Sequence, residues 1–335
     1  MNCVDLFCGC GGMSLGFEQA GVDVLCAIDK WDLALDVYQK NFKHDVVCHD
    51  LSDVGGTVSI IAGYAPDMIV GGPPCQDFSS AGKRDVTLGR ADLTYSFANI
   101  VCDVAPNWFV MENVEAITKS HVLHDVIGQF QNAKYGLTAV ILDASYCNVP
   151  QARNRFFLIG ELNGKHGALL NVIKSNLAGS PMTVRDYLGD SLGVSHYYRH
   201  PRNYSRRGIF SVDEPSPTVR GVNRPVPPNY KKSICDPDDV ELSEIRPLST
   251  IERSYLQTFP KEFIFTGTKT NLEQMIGNAV PVNLAQFVAT CILQHKAGIS
   301  IRTNQQNNLF EDDNPVFTLP QKALHKEAKH MSSRK

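Results

Sequence analysis

The sequence predicts an α/β protein whose first part is a doubly wound sheet, followed by a smaller irregular or β domain. Two observations support this prediction. Short apolar strands alternate with helical patterns through the first 160 residues, and the alternation is lost after Gly160. Because a crossover helix returns the chain to the same end of each strand, the alternation favours parallel pairing. A chain of 335 residues is long enough for one large domain and one small domain.

The elements of the first part follow one another in order. Strands are expected where short apolar runs occur, and helices where apolar residues recur at spacings of three and four. The expected strands are Cys3–Phe7, Val22–Ile28, Val46–Cys48, Met68–Val70, Trp108–Met111, Thr138–Leu142 and Arg155–Ile159. The expected helices are Gly12–Ala20, Asp32–Phe42, Tyr95–Val104 and Val122–Ala133.

The later part of the chain has a different character. Six prolines between residues 201 and 228 break any long element, so we interpret residues 161–271 as a separate small domain. A helical pattern returns over Leu272–Leu293, and we assign residues 272–300 together with residues 1–160 to the first domain. The tail, residues 301–335, is rich in Gln and Asn and then in Lys and His, and it is predicted to be poorly ordered.

Composition excludes several classes of protein. The ten cysteines include no Cys-x-x-Cys spacing, so we expect mostly buried free thiols and no metal site. No run of eighteen apolar residues occurs, and the N-terminus lacks the basic start and apolar stretch of a signal peptide. A cytoplasmic protein with no membrane contact is therefore expected.

The charge distribution indicates a local nucleic-acid surface. The net charge of −3 argues against coating of nucleic acid by bulk electrostatics. Residues 185–232, however, contain nine Lys or Arg against four acidic residues, a local charge of +5, and several tyrosines among prolines and glycines. Such a segment suits contact with nucleic acid, although a solvated basic loop region is the simpler alternative.

A glycine-rich turn follows the first expected strand and predicts a cofactor pocket. Asp5–Gly12 reads Asp-Leu-Phe-Cys-Gly-Cys-Gly-Gly and opens the first helix, whose free N–H groups suit either a carboxylate or a phosphate. Asp29 and Asp50 end the next two strands, where they are suited to ribose hydroxyls and to an adenine edge. A tight turn without a ligand is the alternative.

Three further groups are candidates for a role in catalysis: Cys75, Glu112, and the two arginines Arg153 and Arg155. Cys75 follows Pro73 and Pro74 at the end of the fourth expected strand, the edge where open α/β sheets bind ligands. By itself, a cysteine in this position is more often an inert buried thiol than a nucleophile.

Glu112 ends the fifth expected strand, where its carboxyl group is suited to exchanging a proton with a ring nitrogen. Arg153 and Arg155, two residues apart, are suited to orienting a carboxylate or holding a phosphate, or else to a surface ion network.

Taken in order, these blocks resemble the DNA (cytosine-5-)-methyltransferases of bacterial restriction–modification systems. The resemblance extends over residues 3–295, and although each block is weak alone, the ordered set is specific to that family. It implies a Rossmann-like class I methyltransferase sheet with a target-recognition domain. The matching blocks are Asp5–Gly12, Asp29, Asp50, Gly72–Ser79, Glu112–Val114, Gln151–Arg155, Arg246–Pro260 and Gly277–Val282.

The resemblance implies methyl transfer from S-adenosyl-L-methionine to carbon 5 of a cytosine flipped out of double-stranded DNA. Cys75 would add to carbon 6 of the cytosine, and Glu112, transiently protonated, would act at N3. Arg155 matches the family arginine near the cytosine carbonyl, and Arg153 matches the first arginine of the same block.

The resemblance also implies which residues bind the donor and the DNA. For the donor it assigns Phe7 to the adenine face, Gly9, Gly11 and Gly12 to the methionine end, Asp29 to the ribose, Asp50 to the adenine amino group and Asn278 to the amino-acid moiety. The residues expected to contact DNA are Gln76, Thr218, Arg199, Arg202, Arg206, Arg207, Arg220 and Arg224.

Other functions remain to be weighed against this one. A tRNA cytosine-5 methyltransferase of the same fold shares the chemistry, and a non-catalytic DNA-binding relative shares the surface. An adenine amino-group methyltransferase would place an aromatic residue where Cys75 stands, and a dehydrogenase would require Gly-x-Gly-x-x-Gly. We expect a monomer whose functional partner is a cognate restriction endonuclease, without direct contact between the two.

Overall fold

The computed structural model describes residues 1–74, 93–201, 203 and 206–299. The first part alternates strands and helices: β1 (Asn2–Leu6), α1 (Gly12–Gln19), β2 (Asp23–Asp29), α2 (Asp32–Tyr38), β3 (Asp45–Cys48), α3 (Val54–Ala62), β4 (Met68–Gly71), α4 (Leu93–Val104), β5 (Trp108–Val114), α5 (His121–Asn132), β6 (Tyr135–Asp143), β7 (Gln151–Ala152) and β8 (Asn154–Leu162). The later part contains α6 (Leu170–Asn176), α7 (Val184–Leu188), β9 (His196–Tyr198), β10 (Ile209–Ser211), β11 (Ser216–Pro217), α8 (Thr250–Leu256), α9 (Lys269–Asn278) and α10 (Val282–Lys296).

A seven-stranded sheet with the order β3-β2-β1-β4-β5-β8-β6 confirms the predicted fold class. The five strands from β3 to β5 pair in parallel, as the alternating pattern predicts. In contrast, β8 pairs antiparallel with both β5 and β6, which the alternating pattern did not predict. The chain between β6 and β8 is too short for a crossover helix, so the chain returns in the opposite direction.

The helical pattern near the C-terminal end forms two helices where the sequence predicted one. Helix α9 ends at Asn278 and α10 begins at Val282. Pro281 separates them because proline disfavours helical geometry in the preceding residue and lacks the N–H that a continuous helix requires. As a result, Asn278 lies exposed at a helix end.

By length and composition alone, the stretch Lys269–Lys296 would also fit a membrane span, but 67% of its most apolar window is buried inside the protein. Within the described part of the chain, this stretch therefore belongs to the protein core.

Apolar clusters cover both faces of the sheet. Cys3, Val24 and Met68 face the cluster that contains α1 and α10, whereas Val4 and Ile69 face the cluster that contains α4 and α5. A third cluster joins α2 to the chain around α8 and α9. Burial of the strands on both faces explains why their sequences are continuously apolar.

The division into a first domain of residues 1–160 and 272–300 and a small domain of residues 161–271 stays a proposal.

One pair of short strands joins the later part of the chain to the residues between β6 and β8. β9 and β10 form an antiparallel pair, and β11 runs parallel to β7, with Ser216 opposite Gln151. This second contact places the start of the Thr218–Arg220 segment beside the residues that lead into β8.

The close packing of α1 on α10 predicts a specific sensitivity at Gly16. A Cβ atom there would lie 2.3 Å from the carbonyl oxygen of Val282 and 2.6 Å from the Cβ atom of Ala285. We expect Gly16→Ala to lower the free energy of unfolding by about 1–3 kcal/mol because the helices must separate. The measurement is urea unfolding followed by circular dichroism.

Gly128 in α5 is the matched control, because an added Cβ would meet nothing within 4 Å. Gly128→Ala is expected to be neutral or to stabilise by about 0.5–1 kcal/mol, through helix propensity. Equal destabilisation by both substitutions would contradict the packing argument.

Candidate active site

One cavity of about 730 Å³ lies at the carboxyl ends of β1, β2, β4 and β5. Its volume is within the range of sites for small molecules and cofactors. Most residues predicted to bind the donor or to act in catalysis line it. These lining residues are Phe7, Gly9, Gly12, Asp29, Asp50, Glu112, Arg153, Arg155 and Asn278.

The turn after β1 shapes one wall of the cavity. Phe7 and Gly9 adopt positive φ angles of 59° and 53°, so the chain turns sharply before α1. A Cβ atom at Gly12 would lie 2.3 Å from the carbonyl oxygen of Val280, so glycine is required for this close approach. Gly11 does not line the cavity; it packs against the ring of Phe42 instead.

The carboxylates of Asp29 and Asp50 accept hydrogen bonds from nearby backbone N–H groups. The carboxylate of Asp29 accepts hydrogen bonds from the backbone N–H groups of Gly9 and Trp31, each at 2.9 Å. The exposed carboxylate of Asp50 accepts one from the N–H of Ser52 at 3.0 Å, and this hydrogen bond is the main cause of its lowered pKa. Lys30 lies 3.5 Å from the same carboxylate. Both acids keep lone pairs for a ligand.

Asp5 lies beneath the turn and is almost fully buried. Burial raises the pKa of Asp5 to about 7, although a 2.5 Å hydrogen bond donated by Ser14 acts in the opposite direction. One carboxyl oxygen, Oδ1, has no protein partner in the described part of the chain. A buried, unsatisfied acceptor that lines a cavity is suited to a polar group of a ligand.

Glu112 forms an ion pair with Arg155 on the opposite wall. The Nε atom of Arg155 lies 2.9 Å from Oε1 of Glu112, and both side chains are largely buried. Burial raises the pKa of Glu112 above its ordinary value, while the guanidinium groups of Arg155 and Arg153 act to lower it. Burial also lowers the pKa of Arg155. Burial is the largest of these effects, so the pKa of Glu112 lies above its ordinary value.

The chain that leads to Cys75 is anchored beside this pair. The side-chain amide of Asn113 donates a 3.0 Å hydrogen bond to the carbonyl oxygen of Pro73. Gly72, Pro73 and Pro74 all line the cavity. Cys75, Gln76 and Arg202 lie outside the described residues, so their predicted roles stay predictions.

Arg153 is fully buried, and its guanidinium group contacts backbone. It donates hydrogen bonds to the carbonyl oxygens of Val219, Gly277 and Ala279 at 3.0 to 3.1 Å. These contacts indicate that Arg153 positions the walls of the cavity. Direct catalytic participation of Arg153 stays a prediction.

The residues predicted to bind DNA fall into two groups. Arg206 and Arg224 are exposed and suited to contact with a ligand. Arg207 is held by Glu214, with one contact of 2.7 Å, and lies 4.6 Å above the ring of Phe210, an arrangement that stabilises β10.

The remaining described members of this set make contacts within the protein. Arg199 donates to the carbonyl oxygen of Thr218 at 2.9 Å, and Arg220 donates to that of His200. The hydroxyl of Thr218 donates to the carbonyl oxygen of Ala152 at 3.0 Å. These bonds join the segment around Thr218 to β7 and to the chain after β9.

Sequence reasoning missed several residues that line the cavity. Lys30, Trp31 and Leu51 come directly after the strand-end acids Asp29 and Asp50. Their positions beside the acids were a usable signal, because residues that follow strand ends also reach the carboxyl edge of the sheet.

Comparison with known proteins identifies the family. The family model for C-5 cytosine-specific DNA methylases matches residues 1–294. The chain belongs to this family. The methylase is 64% identical over 293 residues to the Type II methyltransferase M.HindV of Haemophilus influenzae, which covers 88% of this chain and 96% of that protein. It is 54% identical over 292 residues to the Type II methyltransferase M.HgiDI of Herpetosiphon aurantiacus, which covers 87% of this chain and 94% of that protein. The predicted enzyme class, DNA (cytosine-5-)-methyltransferase, is confirmed.

Solved structures support the fold of the methylase. The S. pombe Dnmt2 methyltransferase superposes with a TM-score of 0.66 at 19% identity, covering 89% of this chain and 99% of that one. A putative DNA modification methyltransferase encoded within an E. coli prophage gives a TM-score of 0.62 at 21% identity, with coverages of 89% and 99%. At these identities the likeness shows the fold alone.

The Glu112–Arg155 pair predicts a particular dependence of stability on pH. Burial raises the pKa of Glu112 in the folded protein above its ordinary value of 4.5, so its stabilising contribution is fully present below that pH and is lost as the pH rises through the folded pKa. Arg155→Met removes a guanidinium that lowers this pKa, so the loss should extend to higher pH. We expect its free energy of unfolding, measured by urea unfolding, to fall more steeply with pH than that of the wild type above the ordinary pKa of the carboxyl group.

The double variant Glu112→Gln/Arg155→Met is the control. It lacks the titrating carboxyl group, so the additional slope should disappear. An additional slope that persists in the double variant would assign the effect to another group.

Proposed function

We propose that this methylase transfers a methyl group from S-adenosyl-L-methionine to carbon 5 of a flipped cytosine within a specific double-stranded DNA sequence. The observation that carries the proposal is that one cavity joins the glycine turn and strand-end acids to the Glu112–Arg155 pair and to the chain that leads to Cys75. The names of M.HindV and M.HgiDI support a Type II role, in which the methylation protects DNA from a cognate restriction endonuclease.

The described residues fit this donor. Phe7, Trp31 and Leu51 offer flat or apolar surfaces to an adenine ring, and Asp29 and Asp50 offer acceptors to ribose hydroxyls and to the adenine amino group. At the other end of the cavity, the start of α1 suits a carboxylate, and the unsatisfied oxygen of Asp5 suits an ammonium group. When bound, S-adenosyl-L-methionine supplies an electrophilic methyl group.

The second set of residues suits the cytosine. Carbon 5 is a weak nucleophile, so the Cys75 thiolate first adds to carbon 6, and the ring electrons move towards N3 and the carbonyl oxygen. Glu112, whose pKa is raised by burial, donates a proton or hydrogen bond at N3. Arg155, held by Glu112, lies on the same wall and is suited to the carbonyl oxygen. The bound donor would supply its methyl group to carbon 5 and leave as S-adenosylhomocysteine. Carbon 5 would then lose its proton to water, Glu112 would recover the proton at N3, and the Cys75 thiolate would leave as the double bond re-forms.

The basic segment is the proposed DNA-binding surface. Its exposed Arg206 and Arg224 are suited to phosphates or base edges. Its attachment to β7 brings it next to the cavity, as a base flipped out of the duplex requires. The monomeric state and the cytoplasmic location stay predictions.

Labelled S-adenosyl-L-methionine tests the substrate. We expect the purified protein to form 5-methylcytosine in duplex DNA and not in tRNA, and Cys75→Ser to form none while still binding DNA. Bisulfite sequencing of the product then gives the modified position and the recognition sequence. Methylation of tRNA in preference to DNA would instead support a tRNA methyltransferase.

The salt dependence of DNA binding tests whether the exposed Arg224 contacts DNA while Arg207, which is bound to Glu214, does not. If Arg224 contacts a phosphate, Arg224→Ala should reduce the slope of log affinity against log salt by about 0.9. Arg207→Ala should leave this slope unchanged and lower stability, since Arg207 is engaged with Glu214 and Phe210. Fluorescence anisotropy with a labelled duplex measures both, and the reverse pattern would contradict the assignment.

A further inference from the structure

Two buried glutamines lie between the proposed DNA-binding segment and the proposed donor site. Gln151 and Gln257 are both 0% exposed. Gln151 belongs to β7, and Gln257 ends helix α8. Neither residue lines the cavity. Buried amides of this kind are retained only where their hydrogen bonds are satisfied, so their partners define what they hold.

The glutamines form a continuous chain of hydrogen bonds. The side-chain oxygen of Gln151 accepts from the N–H of Val219 at 2.8 Å, and its amide donates to the side-chain oxygen of Gln257 at 2.8 Å. The amide of Gln257 donates in turn to the carbonyl oxygens of Ile276 at 2.6 Å and Ala279 at 3.0 Å. The chain therefore runs from the neighbour of Thr218 to both sides of Asn278.

Arg153 makes a second connection between the same two segments. Its guanidinium group donates to the carbonyl oxygen of Val219 and to those of Gly277 and Ala279. Both backbone polar groups of Val219 are thus bound, one by Gln151 and the other by Arg153. The backbones also meet directly, because a Cβ atom at Gly277 would lie 2.3 Å from the N atom of Gly221.

We propose that Gln151 and Gln257 are positioning residues that make DNA binding and donor binding cooperative. The inference rests on the proposed function and on the contacts expected from the sequence, with DNA at Thr218 and Arg220 and the donor at Asn278. DNA contact that shifts or orders Val219 must move Gln151 with it, or leave a buried polar group unpaired. If Gln151 moves, Gln257 must move with it or lose the hydrogen bond between them. Gln257 in turn holds the carbonyl oxygens of Ile276 and Ala279, so the proposed donor site responds. By linkage, the donor must favour DNA binding by the same factor.

The test uses the full-length protein, S-adenosylhomocysteine as the non-reactive donor analogue, and a duplex with the sequence found by bisulfite sequencing. Calorimetric titration gives the affinity for the analogue with and without the duplex, and the ratio is the cooperativity factor. In the wild type we expect a factor of at least about 5. Gln257→Met should reduce it to about half or less of the wild-type factor, with the remainder carried by Arg153, and the analogue affinity of the DNA-free protein should change by less than about threefold.

A control separates cooperativity from the general loss of an amide that makes three hydrogen bonds; the control residue, Asn41, is half-buried. The Asn41 amide donates to the carbonyl oxygens of Val37 and Ile264, and its oxygen accepts from the N–H of Ile264, the same number of bonds as Gln257 makes. Asn41→Leu should keep the wild-type factor. Gln151→Met removes the other glutamine from the chain of hydrogen bonds. The double variant should lose no more cooperativity than either single variant, because both substitutions break the same connection.

The outcomes distinguish the two levels of the proposal. Failure of the wild type to bind either the analogue or the duplex would overturn the proposed function and the inference with it. Binding of both with a factor of 1 in the wild type, or an unchanged factor in Gln257→Met and Gln151→Met, would overturn the inference alone. If Gln257→Met does not fold, judged by its thermal unfolding, Gln151→Met decides.

Discussion

The insertion of β8 between β5 and β6 is the constraint on which the active site depends. Antiparallel pairing sets Arg155 opposite Val114 and so brings its guanidinium group to Glu112. Two residues earlier, Arg153 reaches the carbonyl oxygens that bound Asn278. One short stretch of chain therefore positions both the Glu112–Arg155 pair and the carbonyl groups on either side of Asn278, next to the proposed donor site. A change in the register of β8 by one residue would turn these arginines to the other face and lose both contacts.

The electrostatics of the cavity are a balance between burial and paired charge. At Glu112, desolvation disfavours the carboxylate and raises its pKa, while two guanidinium groups favour the carboxylate. A proton donor to a ring nitrogen needs this property, because it must hold the proton and also give it up. Burial also raises the pKa of Asp5, but the nearest partner there is the neutral hydroxyl of Ser14 instead of a guanidinium group.

Sequence patterns predicted the parallel strands and the residues at their ends, because apolar runs and strand-end acids are local signals. They did not predict the antiparallel β8, which depends on the length of a connection, or the break at Pro281. Trp31 was not predicted because an aromatic residue just after a strand carries no local sign that it faces a cavity. Arg207 was grouped with the DNA-binding arginines because charge alone does not reveal that Glu214 holds it. The roles of Gln151 and Gln257 depend on contacts between distant segments, which no local pattern contains.

The central claim, that Cys75 forms a bond to carbon 6 of the target cytosine in this cavity, is tested most directly by covalent trapping. Duplex DNA with 5-fluorocytosine at the methylated position is incubated with the protein and S-adenosyl-L-methionine, denatured, digested, and analysed by mass spectrometry. Fluorine cannot leave as the carbon 5 proton does, so the bond to sulfur should persist. The account predicts an adduct on the peptide that contains Cys75. An adduct that persists in Cys75→Ala, or no adduct from wild-type protein that methylates the unmodified duplex, would contradict it.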